Sequence, residues 1–296
     1  MSWHPRSTCG PPCLPTAGST PTVDIVRRAA RLAGLALTMA VSVGFACAMP
    51  LLPRRARAGG LRWCARLALA ALGVRLRVHG RAALGRGVLV VANHLSWLDV
   101  VALLAVRPAR LLAKREVAAW PLVGALADRL GTIFIDRARL RELPNTVADI
   151  ADALRRRRDV AVFPEGSTWC GRHTGAWRPA AFQAALDAGA PVQPVRLAYL
   201  VASDATTAPT FLGDETLWTS LRRVVATRGL TVRVDMEPAL HPAAVAGLSR
   251  VAARRALAAL AAPRAPRFAP RPRTRRLEAR LSVRPDERAA SVPLRR

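Results

Sequence analysis

VANHLSWLDVV, residues 91–101, places His94 and Asp99 five positions apart where an apolar strand gives way to an apolar helix. Residues 87–92 (GVLVVA) form a short continuous apolar run of buried-strand length, whereas residues 97–106 (WLDVVALLAV) are too long and too rich in Ala and Leu for a second strand. Asn93 and His94 then occupy the turn between them. Ser96 is a suitable helix N-cap, and Asp99 falls where a capping acid folds back over the helix start, which aims its carboxylate at the turn holding His94. Two readings of the pair stand at this point. In one, Ser96 and Asp99 cap a helix and His94 is a loop residue. In the other, Asp99 orients one imidazole nitrogen while the second takes a proton from a substrate hydroxyl.

The chain has 296 residues, of which 51% are hydrophobic, enough for a large core. Its net charge of +27 implies an anionic partner: nucleic acid, phosphate-bearing substrates or an anionic membrane surface. Lys114 is the single lysine among 46 basic residues, so the composition itself favours arginine and part of the charge reflects that bias. The cysteines, at positions 9, 13, 47, 64 and 170, fit neither a CxxC zinc pattern nor an even disulfide framework and read as free thiols, with no metal site expected. Walker loop, GxGxxG, HExxH and GxSxG patterns are absent, which argues against nucleotide hydrolysis, dinucleotide chemistry and serine hydrolysis.

Residues 1–22, rich in Pro, Gly, Ser and Thr, read as disordered. Residues 33–52 (AGLALTMAVSVGFACAMPLL) are nearly all apolar and about long enough for a bilayer core of roughly 30 Å. Arginines flank them on both sides, so charge does not orient the segment. A signal peptide cleaved near Ala46-Cys47-Ala48 and a buried core helix are the alternatives. Residues 61–72 (LRWCARLALAAL) mix Trp and Arg with aliphatics, as a helix lying on a membrane does. Residues 23–73 are therefore expected to form membrane-anchoring helices.

From residue 74 strands and helices alternate. VRLRV (74–78) has the period of a half-buried strand; RLLA (110–113) leads into Lys114; TIFI (132–135) is followed by Asp136 and Arg137; DVAVF (159–163) is followed by the turn PEGST (164–168). Helices are expected over residues 118–126, 143–158 with Asn145 or Thr146 as cap, 180–188, 217–226 and 243–261, and further strands over 190–199 and 231–236. Pro191 and Pro194 place the first of these strands at a sheet edge or place the prolines at its opening end. The pattern predicts an α/β fold with a largely parallel sheet flanked by helices over residues 74–262. In such sheets ligands bind outside the carboxyl ends of the strands, where His94, Asp136, Arg137 and Glu165 all fall. Residues 263–296 carry eleven arginines against three acids and read as a disordered tail; a polybasic membrane tether is the alternative.

NHLSWLD (93–99), GTIFIDR (131–137), FPEGST (163–168) and APVQPV (190–195), in this order, resemble the four sequence blocks of the glycerolipid acyltransferase family, specifically the 1-acylglycerol-3-phosphate acyltransferases. The resemblance covers roughly residues 74–240. It implies an O-acyltransferase in which His94 is the general base and Asp99 its partner. The 2-hydroxyl of a lysophospholipid then attacks an acyl thioester carried by coenzyme A or acyl carrier protein, giving phosphatidic acid. It further implies that Arg137 binds the acceptor's phosphate, that Glu165 and Gly166 hold its glycerol portion, and that Lys114 lies near the thioester or the phosphate. A structural ion pair for Arg137 and a plain tight turn for Glu165–Gly166 are the competing readings.

No cofactor is implied, and the expected partners are the acyl-CoA or acyl carrier protein donor, lysophosphatidic acid or a related lysolipid, and the membrane, with the catalytic domain facing the cytoplasm. The third block departs from the family where TWCGRHTGAWRP follows Ser167, which leaves lyso-ornithine lipid open as the acceptor. A basic, membrane-anchored protein that binds anionic lipid or nucleic acid without chemistry is the non-enzymatic alternative. No RNA- or DNA-binding signature accompanies the charge, and no nucleic acid is expected.

Overall fold

The computed structural model describes residues 7–16, 18–120, 123–136 and 139–263; of Arg54 and Leu140 only the backbone is described. The described residues place eight strands in one sheet: β1 (Arg75–Gly80), β2 (Leu89–Ala92), β3 (Arg110–Lys114), β4 (Ile133–Ile135), β5 (Val160–Val162), β6 (Val192–Val201), β7 (Asp204–Ala205) and β8 (Leu230–Met236). Their order is β1-β8-β6-β2-β5-β3-β4, with the short β7 paired to β6. Strands β2 to β6 run parallel to one another, whereas β8 is antiparallel to β6 and β1 parallel to β8. The largely parallel α/β class expected from the sequence is the one observed.

The continuous apolar run of β2 is explained by helices on both faces. Val88, Val90 and Ala92 join the core beneath α2 (Arg54–Ala71), α3 (Leu98–Val106) and α7 (Leu217–Ala226), while Leu89 and Val91 join the core beneath α5 (Leu143–Arg155), α6 (Ala180–Ala188) and α8 (Arg250–Ala261). All four β2 residues and Val88 are buried, each Val or Leu side chain contributing about 1.5–3 kcal/mol of burial. At the strands' amino ends Asp159 accepts from the Gly87 and Val88 amides and from Arg107 Nε at 2.8, 3.0 and 2.8 Å, which ties the starts of β2 and β5 together.

Pro194 lies in a central strand, at its opening end. Its carbonyl accepts from the Glu237 amide at 3.0 Å, so its missing N–H faces the side where β8, ending at Met236, has already left the ladder. Two helix starts differ from expectation. α5 begins at Leu143 with Pro144 in its first turn, where a missing N–H costs nothing, and neither Asn145 nor Thr146 caps it. The expected 243–261 helix is broken: Pro242–Val245 is a 3-10 turn, Gly247 has φ +83°, and Ser249 caps α8 by accepting from the Ala252 amide.

Before the sheet, α1 (Ile25–Ala48) is capped by Asp24, whose side chain accepts from the Arg27 amide, and it packs against α2. Residues 25–51 are long and apolar enough to cross a membrane, with a mean hydropathy of 2.0. α2 starts at Arg54 rather than Leu61 and is one continuous 18-residue helix. The residues ahead of α1 are held at several points although their composition reads as disordered. Thr22 bridges Thr227, the Val23 amide donates to the Ala226 carbonyl at 2.9 Å, and Cys9 is buried against Cys170 and Leu212. Arg31 Nη1 donates to the Val225 and Thr227 carbonyls at 2.7 and 2.9 Å. The tail beyond residue 263 lies outside the described residues.

Candidate active site

Because β2 and β5 are parallel neighbours, the turns that follow them meet at one edge of the sheet. His94 follows β2, and Phe163 and Glu165 follow β5. Asn93 fixes the start of the first turn by a two-way bond to β6: its amide group donates to the Leu197 carbonyl at 3.0 Å and accepts from the Leu197 amide at 2.8 Å. Helix α3 begins at Leu98, one turn position later than a Ser96 N-cap would place it, although the Ser96 hydroxyl still accepts from the Leu98 amide at 3.3 Å.

Asp99 is fully buried and its carboxylate is saturated with donors. Oδ2 accepts from the Leu95 amide at 2.5 Å, from the Ser96 amide at 2.8 Å and from His94 Nδ1 at 2.9 Å; Oδ1 accepts from the Tyr199 hydroxyl at 2.5 Å. A buried carboxylate persists only when paired in this way. As Asp99 can only accept, Nδ1 of His94 carries the proton and Nε2 presents its lone pair. The imidazole stacks on Phe163, ring centroids 4.0 Å apart and planes inclined by 16°. Its side chain is 22% exposed, whereas that of Asp99 is fully buried. Tyr199, the single tyrosine of the chain, is wholly enclosed, and burial together with the Asp99 charge raises its pKa well above the ordinary tyrosine value.

Glu165 is buried beside this pair. Its Oε2 accepts from the His94 amide at 2.8 Å and its Oε1 from the Gly175 amide at 3.3 Å. Burial pushes the carboxyl up to about 8; the two amides oppose that rise and the Asp99 charge adds to it. The turn that carries it closes through the Gly166 amide and the Phe163 carbonyl at 3.1 Å, and Gly166 takes φ +73°, a conformation that favours glycine. Two further bonds lock the site from above: the Trp169 amide donates to the His94 carbonyl at 2.8 Å and the Phe211 amide to the Leu95 carbonyl at 2.9 Å.

Lys114 ends β3 at the same sheet edge with an exposed side chain, and Asp136 follows β4 within 3.7 Å of both Arg115 and Arg139. Arg137 lies outside the described residues. Sequence reasoning thus finds His94, Asp99 and Glu165, which the fold brings together, but misses Tyr199 and Phe163 as partners. A lone tyrosine inside the apolar run of β6 is a signal for the former: a buried hydroxyl needs an acceptor.

A family model described as Acyltransferase matches residues 75–198, the stretch from β1 into β6 that contains His94, Asp99, Phe163 and Glu165 and ends one residue before Tyr199. The 1-acyl-sn-glycerol-3-phosphate acyltransferase of Neisseria gonorrhoeae is 41% identical over 170 residues, which are 57% of this chain and 66% of that protein, just under two thirds of its length. The lyso-ornithine lipid O-acyltransferase of Pseudomonas aeruginosa is 38% identical over 189 residues, covering 64% of this chain and 70% of that protein. The chain belongs to the acyltransferase family. The fold of this family member is also similar to that of the 1-acyl-sn-glycerophosphate (LPA) acyltransferase PlsC from Thermotoga maritima in its crystal structure. That likeness has a TM-score of 0.58 at 18% identity and covers 80% of this chain and 94% of that one. The His94–Asp99 pair gives this acyltransferase family member an oriented imidazole at the carboxyl edge of the sheet.

Proposed function

We propose that the protein transfers an acyl group from a thioester of coenzyme A or acyl carrier protein to the hydroxyl of a lysophospholipid, with the 2-hydroxyl of 1-acylglycerol-3-phosphate as acceptor. The observation that carries this reading is the tautomer fixed by Asp99, which leaves His94 Nε2 as a base on an exposed edge of a stacked imidazole. An alcohol is a weak nucleophile at neutral pH, and a positioned base removing its proton accelerates attack typically by about 10²- to 10⁴-fold. The thioester is already activated, so the alkoxide oxygen forms the ester bond directly, the thiolate leaves, and His94 returns the proton to it. No protein nucleophile is needed.

In this reading Asp99 stabilises the imidazolium, Arg137 binds the acceptor phosphate through its planar guanidinium, and Lys114 supplies a second positive charge at the same edge. Glu165 braces the His94 backbone, and the Gly166 turn presents its backbone to the acceptor's glycerol portion. An apolar cavity of about 70 Å³, lined by residues including Leu112, Ile135, Val147, Ile150 and Phe163, borders the same phenyl ring on which the imidazole stacks and suits the start of an acyl chain.

The domain works at a membrane surface. α1 touches the domain near both ends, through Arg31 at its start and, from the end of α4 (Val123–Arg129), through Arg129 Nη1 to the Ala46 carbonyl at 3.4 Å, so it runs along the domain instead of projecting from it. α2 carries five arginines and is unsuited to a return span. Exposed Ile25, Val26, Leu37, Val41 and Leu51 then favour a helix pair lying in one face of the bilayer, with the site towards cytoplasmic acyl donors.

A lyso-ornithine lipid acceptor is the second reading, favoured by the departure from the family pattern after Ser167. Offering membranes that contain the protein lysophosphatidic acid and lyso-ornithine lipid side by side, with one acyl-CoA, decides between them: preferential formation of phosphatidic acid supports the first acceptor, and preferential acylation of the ornithine lipid overturns it. Arg137→Ala is expected to raise the KM for lysophosphatidic acid and leave the thioester KM nearly unchanged; a rise confined to the thioester KM contradicts the phosphate role.

A further inference from the structure

Three of the five cysteines converge in space although the sequence scatters them. The sulfurs of Cys9, Cys13 and Cys170 all lie within 4.8 Å of one another among the described residues. Cys9 and Cys170 are buried and Cys13 is half-buried, with Leu14, Leu212 and Trp169 packed around them. Four zinc-bound sulfurs at about 2.3 Å from the metal sit about 3.8 Å apart in a tetrahedron, so small side-chain movements bring these three to ligating distance.

The local chain is built for such a knuckle. Cys9 and Cys13 flank Gly-Pro-Pro, and Pro11–Cys13 is a 3-10 turn closed by the Cys13 amide on the Gly10 carbonyl at 2.9 Å. Two consecutive prolines limit the freedom that the two thiols would otherwise lose on binding. The Cys170 amide donates to the Cys9 sulfur at 3.4 Å, a bond that stabilises negative charge on sulfur as outer-shell donors do around metal-bound thiolates. Gly171 follows Cys170 with φ +83°, turning the chain away beneath Leu95. Three thiolates leave one tetrahedral position, which water can fill.

We infer that Cys9, Cys13 and Cys170 form a three-thiolate site for Zn²⁺ that pins the amino-terminal strap to the loop covering the His94 turn. Binding releases the three thiol protons and leaves the sulfurs reduced, so no oxidant is involved. The tie is direct, because the residue before Cys170, Trp169, bonds the His94 carbonyl. The sequence pattern alone does not expose the site, as Cys9-x3-Cys13 finds its third sulfur only after the fold has brought Cys170 alongside.

The test is metal content of the full chain, purified in detergent without chelator from zinc-supplemented cells. The wild type and Cys47→Ser, whose thiol is exposed and outside the cluster, are expected to carry about one zinc per chain, and Cys13→Ser to lose it. Replacement by Co²⁺ should give a thiolate-to-metal charge-transfer band in the wild type. After denaturation in chelator all five thiols should titrate. Wild-type protein that holds no zinc and develops no Co²⁺ band overturns the site, even if Cys13→Ser fails to fold. So does a disulfide among the three cysteines in protein isolated under thiol-blocking conditions.

Discussion

The Tyr199 hydroxyl and the His94 imidazole engage opposite oxygens of one buried carboxylate: Tyr199 donates to Asp99 Oδ1 at 2.5 Å while Nδ1 of His94 is 2.9 Å from Oδ2. Three side chains, from β6, α3 and the turn after β2, thus form one hydrogen-bonded chain that ends at the imidazole. Removing the Tyr199 hydroxyl leaves a buried charge short of one donor, a loss of about 1.5–3 kcal/mol for a hydrogen bond to a charged group. Tyr199→Phe is expected to lower kcat about 10-fold or more with both KM values little changed, and to lower thermal stability. Steady-state kinetics beside a thermal melt check this; a change confined to KM contradicts the positioning role.

Asp99→Asn separates the two duties of that residue. A flipped amide can keep its oxygen towards the Leu95 and Ser96 amides and donate its NH₂ to the Tyr199 oxygen, so the helix start survives. The charge that stabilises the imidazolium is gone. A fall in kcat of about 10²-fold or more with a near-native circular dichroism spectrum is expected. Unchanged turnover would reduce Asp99 to a helix cap.

Glu165 gives the fold a pH dependence of definite sign. Its carboxyl, raised from 4.5 to about 8, holds its proton more tightly folded than unfolded, so its contribution is fully present below pH 4.5 and is lost as pH rises towards and through 8. At about 1.4 kcal/mol per unit this amounts to a few kcal/mol. Denaturant melts of the wild type and Glu165→Gln across pH 5 to 9 should diverge, the wild type losing stability relative to the variant as pH rises over roughly this window. Parallel profiles would contradict the raised value.

The cavity beside Phe163 sets a length limit in this account. Val147→Phe adds a ring to a space of about 70 Å³ and is expected to shift the preference towards shorter acyl-CoA donors severalfold in kcat/KM, without changing the acceptor KM. Equal loss for all chain lengths would place the acyl chain elsewhere.

Much of this site is legible in the sequence because its residues are local to strand ends. His94 and Asp99 are five positions apart, and the apolar runs before His94 and Glu165 announce buried parallel strands whose carboxyl ends must share an edge. What pairing order decides is not legible. Tyr199 reaches Asp99 only because β6 lies next to β2, and β8 and β1 reverse direction without a local mark in their alternating residues. The composition of residues 7–22 suggests a solvated tail, yet backbone bonds to residues 226–228 and the burial of Cys9 hold it; long-range contacts of this kind override low-complexity composition. Glu165 shows the same limit in its role. Its motif position suggests a ligand for the acceptor, and only the fold adds that it also braces the His94 backbone.

The most direct measurement is acyl transfer from acyl-CoA to lysophosphatidic acid by membranes containing equal amounts of the wild type or His94→Ala. Loss of the base predicts a rate lower by about 10²-fold or more, with the protein present and folded to the same extent. Equal rates in the two membranes would contradict a mechanism that runs through Nε2 of His94.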